Sequence, residues 1–180
     1  MLSQSLKSAL AAAVVVAMAG SAHQAIAAGD GGSTKQTVTC INGKVYNPNT
    51  KKCEVPKKSS GMSDDQFYEA ARDLAYHKRY DEAINVLSLA DDQSDPRILN
   101  YLGYSHRKLG QIEKGLTYYR AALREDPDYT LVMEYMGEAF LQLDQVDKAQ
   151  EQLAEIEKRC GKDCREYTML KTEIDRYLTQ

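Results

Sequence analysis

The sequence predicts an all-α protein: an α-solenoid of three helix hairpins plus a C-terminal capping helix, preceded by a small disulfide-held hairpin. Three observations predict this architecture. Residues 96–129 form a 34-residue unit whose spacing of large and small residues recurs on both sides of it. An amphipathic segment follows the last unit. Two cysteines, Cys40 and Cys53, enclose twelve residues ahead of the first unit.

The first segment, residues 1–28, is predicted to be a cleaved signal peptide. Lys7 precedes an apolar run over residues 9–19, and small residues follow at Ala25 and Ala27, which is the order of a secretory signal. The apolar run is too short for a permanent membrane-spanning helix. An uncleaved amphipathic anchor is the alternative. We therefore expect a periplasmic or secreted bacterial protein with no stable membrane insertion.

Export changes what the four cysteines are expected to do. Outside the cytoplasm, paired cysteines usually form disulfides. Of the three possible pairings, proximity in the sequence favours Cys40–Cys53 with Cys160–Cys164. Their spacings do not suit zinc, and the three histidines lie far from them in the sequence. We predict no metal site and no cofactor.

Residues 29–58 are predicted to contain a disordered lead and the Cys40–Cys53 hairpin. The lead, residues 29–37, is rich in glycine and polar residues and has no periodicity. Asn42-Gly43 and the Asn-Pro-Asn of residues 47–49 predict turns. A segment this short cannot build its own core, so the disulfide must hold it. Residues 59–63 are predicted to be a linker.

The three helix hairpins are predicted over residues 64–95, 96–129 and 130–163. We expect their helices at about 64–78 with 80–91, 96–109 with 112–125, and 131–143 with 146–158. Ser63 or Asp64 can cap the first of them. The recurring small residues, such as Gly103 and Gly137, allow neighbouring helices to approach closely.

The capping helix is predicted over residues 164–180. Apolar residues recur there at helical spacing: Tyr167, Leu170, Ile174, Tyr177 and Leu178. The last repeat of a solenoid exposes an apolar flank, and an amphipathic helix of this kind covers it.

The unit LNYLGYSHRKLGQIEKGLTYYRAALREDP and the fragment YDEAI at residues 80–84 resemble the tetratricopeptide repeat family, over roughly residues 64–163. The resemblance implies that the first helix of each hairpin lines a concave groove for a protein or peptide partner. Matched by repeat position, the groove holds Tyr68, Arg72, Tyr76, Arg97, Asn100, Tyr104, Arg107, Lys108, Leu131, Glu134, Glu138 and Leu141. Some members bind a C-terminal carboxylate with a lysine and an asparagine, which Tyr68 and Arg72 replace here.

Charge separates the hairpin from the repeats. Residues 29–58 contain six lysines against Asp30 and Glu54, whereas residues 59–180 contain 16 Lys/Arg against 24 Asp/Glu. An acidic repeat region argues against nucleic acid as the partner. The lysines either keep the hairpin soluble or contact an anionic envelope surface or an acidic partner.

No hydrolase, nucleotide-binding or zinc-peptidase motif is present, so we expect no enzyme and no catalytic residue. We expect a non-enzymatic scaffold or assembly adaptor that binds a protein or peptide in the bacterial periplasm. One alternative is that the Cys40–Cys53 hairpin binds an envelope surface or a polymer, with the repeats as its mount. Another is thiol chemistry at Cys160 and Cys164, although they are one residue further apart than in C-x-x-C. A homo-oligomer is possible, but nothing in the sequence indicates one.

Overall fold

The computed structural model describes Val38 and residues 40–179. The predicted signal peptide and the predicted disordered lead lie outside the described residues. Within the described part, two short strands, β1 (Val45–Asn47) and β2 (Lys52–Glu54), come first, followed by a 3₁₀ turn and seven α-helices. The helices are α1 (Asp64–Tyr76), α2 (Tyr80–Leu87), α3 (Pro96–Lys108), α4 (Ile112–Glu125), α5 (Thr130–Leu141), α6 (Val146–Cys160) and α7 (Arg165–Leu178).

Two side chains at the start of α1 explain where the first repeat begins and how the end of α2 is held beside it. Ser63 caps α1: its hydroxyl accepts from the Gln66 amide, and the Gln66 side chain accepts from the Ser63 amide. Asp64 instead accepts from the backbone amides of Asp91 and Asp92, both at 2.8 Å. The carboxylate therefore ties the exit of α2 back to the start of α1.

Close packing of helices confirms the predicted role of the glycines. A Cβ atom at Gly103 would lie 2.6 Å from the Tyr119 ring, and one at Gly137 would lie 2.5 Å from Leu170. Both distances are shorter than carbon atoms tolerate, so only glycine lets α4 approach α3, and α7 approach α5, this closely. The capping helix buries Leu170 and Ile174 in this contact.

The core consists of two buried clusters along the stack. One joins α1, α2 and the first half of α3, and the other joins the rest of the repeats to α7. The first helices of the hairpins, α1, α3 and α5, pack on one another, and α7 packs on α5. The helices α2, α4 and α6 each pack on their own partner and also on the next helix along the chain. In a solenoid of such hairpins the first helices line the inner side, so we call the face formed by α1, α3, α5 and α7 the concave surface.

The predicted N-terminal hairpin is present, and it is tied to the first repeat more closely than the sequence indicates. The paired strands flank a turn over residues 48–51, with Tyr46 opposite Cys53, whereas Asn42-Gly43 forms a separate turn with positive φ at both residues. The predicted linker is held in place, because Asn47 donates to the Ser60 carbonyl at 3.1 Å and Asn49 donates to the Gly61 carbonyl at 2.8 Å. Val45 and Met62 join the first core cluster. The hairpin is thus packed on the first repeat.

Helix α2 is shorter than the sequence predicts, for a local reason. Helix α2 ends at Leu87 rather than near residue 91, because the Gln93 side-chain amide donates to the carbonyls of Leu87 and Ala90.

Both predicted disulfides are present: Cys40–Cys53, with a Cα–Cα distance of 5.7 Å, and Cys160–Cys164, with 5.8 Å. Among the described residues, none of the helices has the length and apolar character needed to cross a bilayer.

Candidate functional site

The concave surface carries the residues that the sequence places in the groove. Tyr68, Arg72 and Tyr76 lie on α1, the residues from Arg97 to Lys108 on α3, and Glu134 and Glu138 on α5. Their accessibility differs. Tyr76 and Lys108 are exposed, Tyr68, Arg72, Arg97, Tyr104 and Glu138 are partly buried, and Asn100, Arg107 and Glu134 are buried.

Burial of Asn100, Arg107 and Glu134 corrects the expectation that they are exposed contact residues. The Asn100 amide lies close to the Tyr129 hydroxyl but makes no hydrogen bond of normal geometry to any described residue. Oε1 of Glu134 is likewise without a hydrogen-bond partner among the residues that the structure covers. A partner that reaches the surface therefore meets other side chains first.

Arg107 lies between the second and third repeats. Its Nη1 is 2.7 Å from Oε2 of Glu138, without the alignment of a hydrogen bond, and its Nε donates to the Tyr119 hydroxyl at 3.3 Å. Burial alone would lower the pKa of Arg107, but Tyr119 and Glu138 outweigh it and the pKa is raised. The guanidinium stays charged and joins α3, α4 and α5. Arg107 thus supports the surface from beneath.

Glu134 is the most perturbed carboxyl group of the concave side. Burial raises its pKa to about 7, and the neighbouring carboxylates Glu138 and Glu166 add to the effect. Arg165 and Arg107 act in the opposite direction. The group therefore titrates near neutral pH, at the junction of α5 and α7.

A connected strip of tyrosines runs along α1, α3 and α5 on the concave surface. The rings of Tyr68 and Tyr76 lie 5.6 and 6.3 Å from Tyr101, and the Tyr101 hydroxyl donates to that of Tyr76 at 3.1 Å. Tyr104 continues the strip, 6.0 Å from Tyr101 and 5.0 Å from Tyr135. We call these five residues the tyrosine strip.

Tyr101 and Tyr135 are the residues that the groove prediction missed. Both occupy the same position in successive repeats, one residue after the predicted Asn100 and Glu134. That recurrence was a signal in the sequence, but helix position alone assigns them to packing. Burial raises the pKa of both phenols, so these two side chains are neutral at physiological pH.

Cations border the strip and differ in how they are paired. Arg97 lies 5.0 Å above the Tyr68 ring and is ion-paired with Asp95 at 2.6 Å and Asp65 at 2.7 Å. Arg72 lies 5.8 Å from the same ring and pairs with Glu69 at 3.0 Å. These two charges are already balanced within the protein.

Lys108 differs from the two arginines. Its Nζ lies 5.4 Å from the Tyr104 centroid and forms no salt bridge with any described residue. Burial, and then the charge of Arg107, lower its pKa. Lys108 also borders a cavity of about 320 Å³ between the C-terminal ends of α3, α5 and α7. The cavity is lined by Lys108, Glu138, Leu141, Gln142, Glu173, Arg176 and Tyr177.

Outside the concave surface, the described chain holds two cysteines and a histidine that could perform chemistry, and all three already contact other groups. The sulfurs of Cys160 and Cys164 lie with a Glu166 carboxylate oxygen within 4.8 Å of one another, but the two sulfurs are bonded to each other. His106 stacks on Tyr118 at 5.3 Å, and its Nδ1 lies 2.8 Å from Oε1 of Gln111. Burial lowers the pKa of His106. His106 is therefore engaged in packing against α4.

Comparisons with known proteins agree with this geometry. Two tetratricopeptide repeat family profiles match, one over residues 68–130 and the other over residues 106–174. A comparison with curated protein sequences gives no match.

Several solved structures are similar in fold. The first tetratricopeptide domain of Spaghetti (RPAP3), bound to the HSP90 peptide SRMEEVD, has a TM-score of 0.56 and 17% identity, covering 66% of this chain and 94% of that one. The Yersinia enterocolitica secretion chaperone SycD with a peptide of the translocator YopD has a TM-score of 0.54 and 21% identity, covering 64% and 88%. PcrH with the chaperone-binding region of PopB has a TM-score of 0.54 and 20% identity, covering 65% and 98%.

Proposed function

The chain belongs to the tetratricopeptide repeat family, and we propose that it is a non-enzymatic scaffold or assembly adaptor that holds a protein or peptide partner against its concave surface. Members of this fold are typically interaction modules without catalysis. The observation that carries the proposal is the tyrosine strip, which presents aromatic area on the inner face of three successive hairpins.

The strip suits recognition because its rings are held before a partner arrives. Each ring is fixed by its neighbours, and the buried Tyr101 supports the exposed Tyr76 through its hydroxyl. Fixed aromatic side chains lose little conformational entropy on binding, and tyrosine is enriched among residues that dominate binding energy. The partner would contact aromatic rings that pack against the protein on one side and are open to solvent on the other.

The charged residues beside the tyrosine strip indicate which chemical groups the partner presents. Since Arg72 and Arg97 are balanced by their own carboxylates, Lys108 is the cation of the strip most open to a ligand anion. It borders a cavity that also contains Leu141 and Tyr177. We expect a segment that places a carboxylate at Lys108 and an aliphatic or aromatic residue beside it.

Relatives of the same fold support a polypeptide ligand. The similar structures of RPAP3, SycD and PcrH hold an HSP90 peptide, a YopD peptide and a region of PopB. For this chain a polypeptide partner is inferred from the shared fold together with the tyrosine strip.

An exported location is part of the proposal. The predicted signal peptide supports it, and so do two disulfides within the described chain, since disulfides persist in oxidising compartments. We propose that Cys160–Cys164 is a structural link between α6 and α7 rather than a redox centre. Thiol counting on the purified protein tests this: free Cys160 or Cys164 in the native state contradicts it.

Site-specific photo-crosslinking tests the binding surface. We replace Tyr76 on the concave surface with benzoylphenylalanine, and in a matched control we replace the exposed Arg120 on α4. Irradiation in the native cell should link a partner from position 76 and not from position 120. Equal crosslinking at both positions, or crosslinking from position 120 alone, contradicts the proposal.

Affinity for the crosslinked partner tests the role of individual side chains. Tyr76→Ala and Lys108→Ala should each weaken binding by at least about 1–2 kcal/mol if they are dominant contacts. Both side chains are exposed, so the helices should stay folded, and the one internal cost is that Tyr76→Ala removes the acceptor of the Tyr101 hydroxyl. Lys114→Ala, on α4, is the control and should leave affinity unchanged. Loss of binding in the control, or none in either variant, refutes the assignment.

A further inference from the structure

The N-terminal hairpin presents exposed aliphatic side chains around its disulfide. Val38, Ile41 and Val55 are 44%, 71% and 64% exposed. Each lies within two residues of Cys40 or Cys53, whose Cα atoms are 5.7 Å apart. The disulfide therefore gathers three apolar side chains from two chain segments into one small region.

The strand pairing indicates which way part of this region faces. Val45 is buried against the first repeat, and its cross-strand partner is Glu54. Side chains alternate between the faces of a strand, so Cys53 points to the face opposite Glu54, away from the repeat core. Val55 follows the end of β2, and its side chain is 64% exposed.

Lysines surround this region. Residues 40–58 contain five lysines and one acid, Glu54. Lys44, Lys51, Lys52 and Lys57 are exposed and make no salt bridge with a described residue, whereas Lys58 pairs with Asp91 at 2.9 Å. Glu54 accepts hydrogen bonds from Thr50 and Asn47. We call Val38, Ile41, Val55 and the four unpaired lysines the hairpin patch.

We propose that the hairpin patch docks the protein on an anionic phospholipid membrane surface. Lysines are attracted to anionic headgroups, and exposed aliphatic side chains enter the boundary between headgroups and acyl chains. A nucleic acid or an acidic polysaccharide would match the lysines through its anionic groups, but it offers no apolar region into which the exposed aliphatic side chains could enter. Charge and apolar character together fit a lipid surface.

The charge of the repeats fixes the orientation on the membrane. Residues 59–180 contain 16 basic and 24 acidic residues, a difference of 16 − 24 = −8. An anionic surface repels this region and attracts the hairpin patch. The stack would stand away from the membrane, and its concave surface would stay open to a partner.

Vesicle flotation with the full chain tests this proposal. We compare vesicles of phosphatidylcholine with vesicles of phosphatidylcholine and phosphatidylglycerol, at low and high salt. All variants share residues 1–39, so any lipid affinity of that segment is common to them. Wild type should float with the anionic vesicles at low salt and be released by high salt.

Matched variants separate the two components of the patch. Lys51→Gln with Lys52→Gln should lower partitioning by about tenfold, and Val55→Ser should lower it severalfold. Lys114→Gln with Arg120→Gln makes the same charge change on α4, and Met169→Ser removes an apolar group that is 41% exposed on α7. Both controls should partition like wild type.

Three outcomes overturn the proposal: no flotation of wild type with anionic vesicles, equal flotation with neutral ones, or equal losses in the controls. Retained flotation of both patch variants would assign the lipid affinity to another segment and also overturn it. None of these outcomes affects the partner on the concave surface, which is tested separately by crosslinking.

Discussion

The two ends of the repeat stack are closed by different physical means. At the C-terminal end, α7 lays a regular amphipathic face on α5 and α6 and buries Leu170 and Ile174 completely or nearly so. At the N-terminal end, two three-residue strands contribute mainly Val45 to the core and are held by asparagine side chains and a disulfide. One end is closed by apolar packing, and the other by hydrogen bonds and a covalent link.

This difference explains what each end can do besides capping. A packed helix uses its apolar face for stability, so little of it is available for contacts. The N-terminal hairpin needs few apolar contacts, so it can present aliphatic side chains and lysines outward. The comparison makes predictions about stability and about pH.

Loss of apolar packing at the C-terminal end should have the largest effect. Leu170→Ala removes a fully buried side chain that fills the space above Gly137, and should cost about 2–5 kcal/mol of unfolding free energy. Chemical denaturation measures it. Met169→Ala, one residue away and 41% exposed, is the control and should cost little. Similar losses in both variants would mean that α7 is not a packed cap.

For the disulfides, the larger loss of unfolding free energy should come from the N-terminal end rather than from the C-terminal end. Cys40→Ser with Cys53→Ser opens a loop with a sequence separation of 13, and chain entropy predicts a loss of about 3 kcal/mol. Cys160→Ser with Cys164→Ser opens one with a separation of 4, for which the same relation gives about 2 kcal/mol. Calorimetry compares the melting temperatures. A larger drop for the second pair would reverse the comparison.

The two ends should also respond to pH in opposite directions. Burial raises the pKa of Glu134 to about 7 in the fold, against about 4.3 in an unfolded chain. Its contribution to stability is complete below pH 4.3 and is lost as the pH rises through about 7, on the order of 2 kcal/mol. At the N-terminal end, the hydrogen bond from Arg79 lowers the pKa of Glu82, so that contribution is lost as the pH falls.

Urea unfolding across this pH range checks the assignment. Glu134→Gln should be more stable than wild type near pH 8 and should flatten the decline between pH 4.3 and 7. Glu166→Gln, at a partly buried neighbour that only adds to the repulsion, should have a smaller effect. An unchanged pH profile in Glu134→Gln would show that this carboxyl group does not titrate in the fold.

The smallest effect concerns the hydrogen bonds of the N-terminal cap. Asn49 donates to the Gly61 carbonyl at 2.8 Å and exchanges hydrogen bonds with the Gln66 side chain. Asn49→Ala should cost about 0.5–1.5 kcal/mol and release residues 56–61 without altering α7. Hydrogen exchange measures the local protection. Thr50→Ala is the nearby control, since the Thr50 hydroxyl donates to Glu54 within the hairpin and not to residues 56–61.

The sequence predicted the C-terminal cap better than the N-terminal one, for a physical reason. The period of apolar residues in α7 and the glycine at residue 137 are local signals of packing. The anchoring of the hairpin depends on side-chain amides such as Asn47 and Asn49 reaching carbonyls twelve or thirteen residues away. No periodicity carries that information, so residues 59–63 were expected to form a linker.

The same limit applies to the concave surface. Repeat position assigned Tyr68, Tyr76 and Tyr104 to one face, because the helix period sets which residues point inward, and their rings form one connected strip with Tyr101. It did not distinguish exposed from buried charges. Arg107 is buried because Glu138 on the next repeat and Tyr119 on α4 surround it. Contacts between repeats decide this, and they follow from the superhelix rather than from one helix.

The central claim is that the partner binds the concave surface and not the N-terminal hairpin. Hydroxyl-radical footprinting of the chain, free and bound to its crosslinked partner, tests this most directly. Tyr76 and Tyr104 should lose reactivity in the complex, whereas Ile41 and Val55, which are exposed on the hairpin, should react as in the free protein. Protection of Ile41 and Val55 with unchanged Tyr76 would contradict the account and assign the partner to the hairpin.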